Sequence, residues 1–299
     1  MQAEQKHTYS NTSVASLLKR VWHIMRSLAS RPLSLLGLII VLVFGFIAFL
    51  GPMVAPYEFD ELIRGAARQP PSSEFFFGTD RLGRDVFSRV LWGAREIIGI
   101  PGIATGLSVL IGTTLGLALG YYGGWIDEVV SRALDSLLAI PALLLALVML
   151  GTIGPSPIGI IIVIVLLYVP IVTRVIRSAT LNVRGSGFIE AAKLRGEGTL
   201  YILFREILPN ILPALTVEAA LRFSYAIFLT ASLGFLGLGV QPPSPDWGRM
   251  VNEAREGYAR TPWALWYPAG AISVLVIGVN LLADGLRRLF RYEGGSSRK

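Results

Sequence analysis

The chain has 299 residues, 53% of them apolar and only 16% charged, with a mean hydropathy of +0.59. Soluble domains carry roughly 25% charged residues, so there is too little polar material for a water-facing surface, and a membrane class follows. The net charge of +7 is spread between apolar runs rather than gathered on a hydrophilic module, which argues against nucleic acid as a partner, and the lack of cysteine excludes disulfides and thiolate metal sites.

Residues 1–31 contain no apolar run of signal-peptide type. Val14, Leu17, Leu18, Val21, Ile24, Met25 and Leu28 recur at helical spacing, with Lys19, Arg20, His23 and Arg26 mostly elsewhere on the wheel. This predicts a basic amphipathic helix on the membrane surface, with Trp22 at headgroup level. A crossing takes roughly 20 apolar residues. Leu33–Val54 supplies the first, within a segment 32–55. Ile97–Tyr122 supplies a second, glycine-rich and so suited to close helix packing in lipid. Ser136–Thr173 is too long for one crossing, and "GTIGPSPIG" (Gly151–Gly159) divides it into two. Pro213–Leu238 and Tyr267–Ala283 complete about six by this length rule, and 293–299 is left as a tail.

An even number of crossings puts both termini on one side, and the basic N-terminal segment makes that side cytoplasmic. Arg177, Arg184, Lys193, Arg195, Arg205, Arg287 and Arg288 fall on it as well. Residues 56–96, assigned to the outside, run against the rule with Arg64, Arg68, Arg81, Arg84, Arg89 and Arg95. Within them lies "FGTDRLGRDVFSRVLWGAR" (Phe77–Arg95). Asp80 and Asp85 can cap helix starts around a turn at Gly83, and Val86, Phe87, Val90 and Leu91 give the next segment an apolar face. Two readings stay open: an interfacial helix that steers the chain into the second crossing, or a contact surface for a partner. Gln241–Trp266 opens with prolines that forbid a regular helix, and its Trp247, Tyr258, Trp263 and Trp266, with Tyr267, read as an interfacial belt.

Catalytic chemistry is sparse. None of the lysines sits in a phosphate-cradling loop, and the histidines are His7 and His23, both near the N-terminus. An intramembrane enzyme therefore has no cluster to work with, and an ion-coupled carrier has no evident midplane site. The force that drives this protein is expected to come from an attached partner. Glu218 and Arg222 are i, i+4 near the start of the fifth span and can pair. They read either as the polar lining of a passage or as a self-satisfied pair near the cytoplasmic interface.

"EAAKLRGEGTLYILFREILPN" (Glu190–Asn210) is charged and glycine-broken between two greasy segments. Ile189, Ala192, Gly196, Leu200, Leu203 and Ile207 step along it at helical intervals, while Glu190, Lys193 and Glu197 project from another face. Gly196 and Gly198 favour a helix–turn–helix, with Pro209 and Pro213 ending the second arm. Such a hairpin either rests on headgroups or docks a soluble subunit. Small Ala191, Ala192 and Gly196 favour docking, because a lipid-resting face carries bulky apolar residues.

The residues Glu190-Ala191-Ala192, Gly196 and Leu208-Pro209 resemble the EAA motif of bacterial ABC importer permeases, with the motif's usual isoleucine displaced: Glu206 holds its place and Ile207 follows. Phe77–Arg95, "GYYGGWID" (Gly120–Asp127), "LGFLGLGVQPPSPDWGRM" (Leu233–Met250) and "NLLADGLR" (Asn280–Arg287) resemble the dipeptide/oligopeptide/nickel permease family, in particular the shorter-looped member of its heterodimeric pair. The resemblance spans the first crossing to the last helix. It implies an all-α type I ABC importer permease fold, with a core over 97–292 that includes a coupling loop at 177–212. It implies a multi-pass subunit of the bacterial cytoplasmic membrane that forms a pathway with a sister permease, for peptides or related solutes. Two ATPase subunits would carry ATP and Mg, with no cofactor on this chain, and an extracytoplasmic binding protein would deliver the cargo. Glu190, Ala191, Ala192, Lys193, Gly196 and Glu197 would be the ATPase-docking residues. The alternatives are an autonomous channel or an ion-coupled carrier.

Overall fold

The computed structural model describes residues 31–296, with side chains as far as Phe290. The amphipathic helix predicted within 1–31 lies outside the described residues, as does the end of the predicted tail at 293–299. The described residues fold into α1 (Pro32–Val54), α2 (Val86–Tyr122), α3 (Gly124–Leu138), α4 (Ala142–Ile153), α5 (Pro157–Val183), α6 (Gly187–Leu194), α7 (Thr199–Phe235), α8 (Trp247–Arg255) and α9 (Trp263–Ser296). Five of these are long and apolar enough to cross a membrane, or six crossings if the bent pair α3–α4 makes one.

The pairing of α2 with α5 sets the centre of the bundle. Gly112, Gly116 and Gly120 recur every fourth residue and form one stripe on α2. A Cβ on Gly116 would lie 2.8 Å from Ile176 Cβ, and one on Gly120 would lie 2.7 Å from Thr180 Cβ. Removing side chains along that stripe lets the α5 backbone approach, and in lipid such contact, rather than water exclusion, holds helices together. The predicted close packing of the glycine-rich span is thus located on α5.

α1 packs on α9 in the same manner. A Cβ on Gly37 would meet Leu282 N at 2.6 Å, and one on Gly278 would run into the Ile40 side chain. Its other faces expose Leu42, Phe46, Phe49 and Met53, the apolar surface that a peripheral membrane helix turns to acyl chains.

Several expectations change. The second span does not begin at Ile97, because Asp85 starts the helix eleven residues earlier: its carboxylate accepts from Ser88 N at 2.8 Å and Ser88 Oγ at 2.7 Å. The chain from Val86 onward is therefore the first part of α2 and not a separate interfacial helix. Asp80 caps no helix; it holds the turn at Gly83, accepting from Leu82 N at 2.8 Å and Arg84 N at 3.0 Å.

The third crossing is not one rod. α4 has 12 residues, about 18 Å of helix against roughly 30 Å of hydrocarbon, and it meets α3 at 85°. Pro141 lies at the corner, where it has no N–H to continue the ladder of α3.

The second arm of the hairpin does not end at Pro209. α7 runs without a break from Thr199 to Phe235, passing through a π-type stretch at Ile202–Ile207 in which Leu208 N bonds to Leu203 O. Pro209 would clash with the carbonyl four residues back in a regular α-helix, and a widened turn just ahead of it relieves that conflict. The predicted loop 177–212 thus reduces to the last turns of α5, α6 and the start of α7.

At the end of the bundle away from the hairpin, residues 55–85 and 236–262 cover the helix tips. Trp247 is fully buried against Val86, Val90 and Ile227, its Nε1 donating to Val90 O at 3.0 Å. It belongs to the core rather than to an interfacial belt, whereas Trp266 and Tyr258 are exposed as a belt requires. Asp246 caps α8, accepting from Arg249 N at 2.7 Å.

Candidate coupling site

α6 is an eight-residue helix set between a turn at each end. Its exit is fixed by Gly196, whose φ of +76° closes the helix, with Gly196 N bonding to Lys193 O at 2.9 Å and Glu197 N to Ala192 O at 3.2 Å. That pair of bonds is the Schellman arrangement, which favours glycine at the left-handed position. Arg195 reinforces the turn through Glu206, at 3.2 Å, and Glu197, at 3.5 Å. The predicted helix–turn–helix is present, and Gly196 is its pivot.

The two faces of α6 differ sharply. Ile189 and Ala192 are fully buried in a cluster with Leu117, Val172, Ile176, Ile202, Leu203 and Ile207. Ile207, displaced by one position relative to the EAA pattern, still packs completely. Outward lie Glu190, Ala191, Lys193 and Gly196, with Leu194 at 90% exposure and Glu197 half-buried. Ala192 therefore leaves the outward set: its small side chain lets α6 sit down on the bundle. Neighbouring residues on a helix point about 100° apart, so Ala191 and Ala192 could not both face a partner. Leu200, placed on the inward stripe from the sequence, is exposed instead.

Beneath α6 the ends of α2, α3 and α5 are tied together by charge. The Lys193 ammonium stands 5.3 Å from the Tyr121 ring centroid, and Arg184 Nη1 donates to Gly120 O at 3.1 Å. Arg177 Nη2 donates to Asp127 Oδ2 at 2.6 Å, and Arg174 pairs with Asp135. These contacts were not legible in the sequence, where Asp135 had no role.

The structure also brings Glu218 and Arg222 together, Nε to Oε1 at 2.8 Å. α7 begins at Thr199, so Arg222 lies about 35 Å along the axis from its start and about 20 Å from its end at Phe235. The pair stands beside Tyr168, near the middle of α5.

At the opposite end, a second charged network joins chain segments far apart in sequence. Arg84 bridges Asp80, at 2.6 Å, and Glu253, at 2.7 Å; Arg249 also reaches Glu253, at 3.0 Å. Arg89, 1% exposed, donates to Phe59 O at 3.2 Å and stands 3.8 Å from Glu253. Two of the six arginines that ran against the charge rule are thus buried in ion pairs.

This arrangement has the fold of the membrane subunit of an ATP-driven importer. A chain of the MetNI methionine ABC transporter, solved in inward-facing conformations, superposes with a TM-score of 0.56 at 20% identity, covering 67% of this chain and 95% of that one. Residues 112–292 match the family described as "Binding-protein-dependent transport system inner membrane component", and residues 16–71 match "N-terminal TM domain of oligopeptide transport permease C". The chain belongs to this binding-protein-dependent permease family.

It is 41% identical to the dipeptide transport system permease protein DppC of Alkalihalophilus pseudofirmus, over 88% of this chain and 86% of that protein. It is 39% identical to the di/tripeptide transport system permease protein DppC of Pseudomonas aeruginosa, over 91% of each. The glutathione transport system permease protein GsiD of Pectobacterium atrosepticum is 38% identical, over 84% of this chain and 83% of that protein. The chain is accordingly a multi-pass, non-catalytic permease subunit of an ABC importer, and ATP is hydrolysed on a separate subunit. This selects the importer over an autonomous channel or carrier.

Proposed function

We propose that α6 is the arm through which an ATPase subunit drives this permease, and that the cargo is a short peptide. The observation that carries the first part is the two-sidedness of α6: Ile189 and Ala192 anchor it in the bundle while Leu194 stands almost wholly exposed beside Glu190 and Ala191. That leucine is ringed by exposed Glu190, Ala191 and Lys193, a mixed polar and small surface that suits a protein groove better than acyl chains. Glu190, Ala191, Lys193, Gly196 and Glu197 form the rest of that surface. Closure of an ATPase pair moves α6 as a rigid body and, through its packing on α5 and α7, switches the access of the pathway.

The hairpin end faces the cytoplasm of a bacterial cell, supported by Arg174, Arg177, Arg184, Lys193, Arg195 and Arg205 gathered there, and both termini lie on that side. Two ATPases, a related second permease and an extracytoplasmic binding protein complete the machine. Peptide cargo is supported by relatives named for dipeptides, di/tripeptides and glutathione.

Purifying the assembled transporter with Leu194→Asp or Ala191→Trp tests the docking arm. ATPase subunits are expected to be lost while this chain remains inserted with its sister. Retention of the ATPases with full coupled uptake in both variants would overturn the assignment.

A further inference from the structure

Glu218 and Arg222 are acid and base one turn apart in the middle of an apolar helix, about 6 Å along its axis. Glu218 is 7% exposed. The two pair at 2.8 Å, and beyond this contact Glu218 Oε1 and Arg222 Nε are buried with no further hydrogen-bond partner. An ion pair so isolated from other polar groups is costly to place there. The guanidinium also sits between two aromatic rings, 5.5 Å from the centroid of Tyr168 on α5 and 4.9 Å from that of Tyr225 on α7. Tyr225 is exposed, so the site opens on one side.

That side continues along the helix. Glu218, Leu221, Tyr225, Phe228, Ser232 and Phe235 follow one another at steps of three and four and so share a face of α7. Its far half borders an open groove of about 380 Å³, walled by Leu143 of α4, Val251 of α8 and Ile272 of α9. The face thus joins an apolar groove near one end of the bundle to an isolated ion pair at mid-depth.

We propose that Glu218 and Arg222 form a transit site for the two termini of a short zwitterionic peptide, the carboxylate of Glu218 taking the ammonium and the guanidinium of Arg222 taking the carboxylate. The proposal rests on the peptide reading above and adds the residues that recognise the cargo. An extended dipeptide spans about 7 Å, close to the roughly 6 Å rise between the two backbone positions, so once the 2.8 Å ion pair opens a peptide lying along α7 reaches both groups. The exchange conserves charge: one ion pair opens and two form, with no net charge left in the span. The rings of Tyr168 and Tyr225 hold the guanidinium face while its edge changes partner.

The chain lacks cysteine, so one introduced thiol reports without interference when labelling is read on this chain by mass spectrometry. In the assembled transporter, the labelling rate of Phe228→Cys is compared with and without dialanine, and with N-acetyl-dialanine amide, which has neither terminal charge. Dialanine is expected to slow labelling about tenfold, the scale of a lost charge-assisted bond, and the capped peptide to leave it unchanged. Adding Glu218→Gln or Arg222→Gln should abolish the protection while the complex still assembles. Equal protection by the capped peptide, or protection that survives both substitutions, would overturn the site. So would a thiol that never labels, which would mean that another helix covers this face. Failure of the wild-type transporter to import dialanine, with the protection pattern intact, would instead count against peptide import and leave the site standing.

Discussion

Arg177 of α5 and Asp127 of α3 form a two-point ion pair, Nη2 to Oδ2 at 2.6 Å and Nε to Oδ1, across fifty positions of sequence. The fork geometry matches guanidinium to carboxylate. Trp125, Ile126 and Val129 on α3 are exposed, so this pair and Arg174–Asp135 act as the clasps that hold α3 against α5.

Opening that clasp should release α3 without unfolding the bundle. Arg177 is about one-third exposed, so Arg177→Gln is expected to cost only about 1 kcal/mol of global stability. Hydrogen–deuterium exchange confined to α3 should nevertheless rise several-fold. Unchanged exchange over 124–138 would show that α3 is held by something else.

The α2–α5 seam should tolerate no added atoms. Gly116→Ala places a methyl 2.8 Å from both Ile176 Cβ and Thr173 O, and overpacking of this kind costs about 1–3 kcal/mol. Gly106, on the same helix, has open space around its Cβ position. Gly106→Ala is expected to be neutral or slightly stabilising through helix propensity. Melting of the detergent-solubilised protein, measured for both variants, checks the contrast; equal shifts would contradict it.

The network at the other end should fail at its shared acid. Burial alone would raise the Glu253 carboxyl, but Arg84, Arg89 and the bond from Arg249 outweigh it and hold the group below its ordinary range. Glu253→Gln leaves two buried guanidinium groups short of their counter-charge, at a cost of about 3 kcal/mol. Residues 56–85 should then become sensitive to trypsin at Arg68 and Arg81, which are already exposed. Intact protein under those conditions would count against this prediction.

Asp246 supplies a pH dependence of unusual sign. Burial pushes its carboxyl up to about 7 from 3.8, with Glu96 adding to the rise and the Arg249 and Gly248 amides opposing it. Between these two values the folded protein holds a proton that the unfolded chain releases, so stability falls as pH rises through this window and levels off above about 7. Exchange protection of α8 is expected to be greater at pH 5 than at pH 8. Asp246→Asn keeps an acceptor for the cap and should flatten the difference; a wild type equally protected at both pH values would refute it.

Much of this architecture was readable from spacing. The crossings followed from length, and the glycine content of the second span announced close packing, though not which glycines form the seam or which helix fills it. The hairpin was visible for the same kind of reason, since Gly196 supplies the one backbone conformation that a Schellman turn needs. The phase of α6 was also available: Ala192 sits three residues after Ile189, the position that shares its face, and a fully buried isoleucine there takes Ala192 inward with it.

What spacing could not supply was pairing at a distance. Arg84 and Glu253 are 169 positions apart, and no local rule joins them. Trp247 looked like a belt residue because tryptophan suits both the headgroup layer and a core; only the Val90 carbonyl across the bundle decides between them. The corner at Pro141 was hidden inside a charge-free run, where hydropathy is blind to direction.

The widened turn at Ile202–Ile207 has a mechanical consequence. It lets one helix run from the hairpin to the far rim of the bundle, about 55 Å for its 37 residues. If the hairpin docks a motor as proposed, a stroke delivered at Thr199 need not be relayed through loops, because the same helix carries Arg222 and Phe235. Its one irregular coil, placed just beside the proline, is the natural point at which the stroke is tuned.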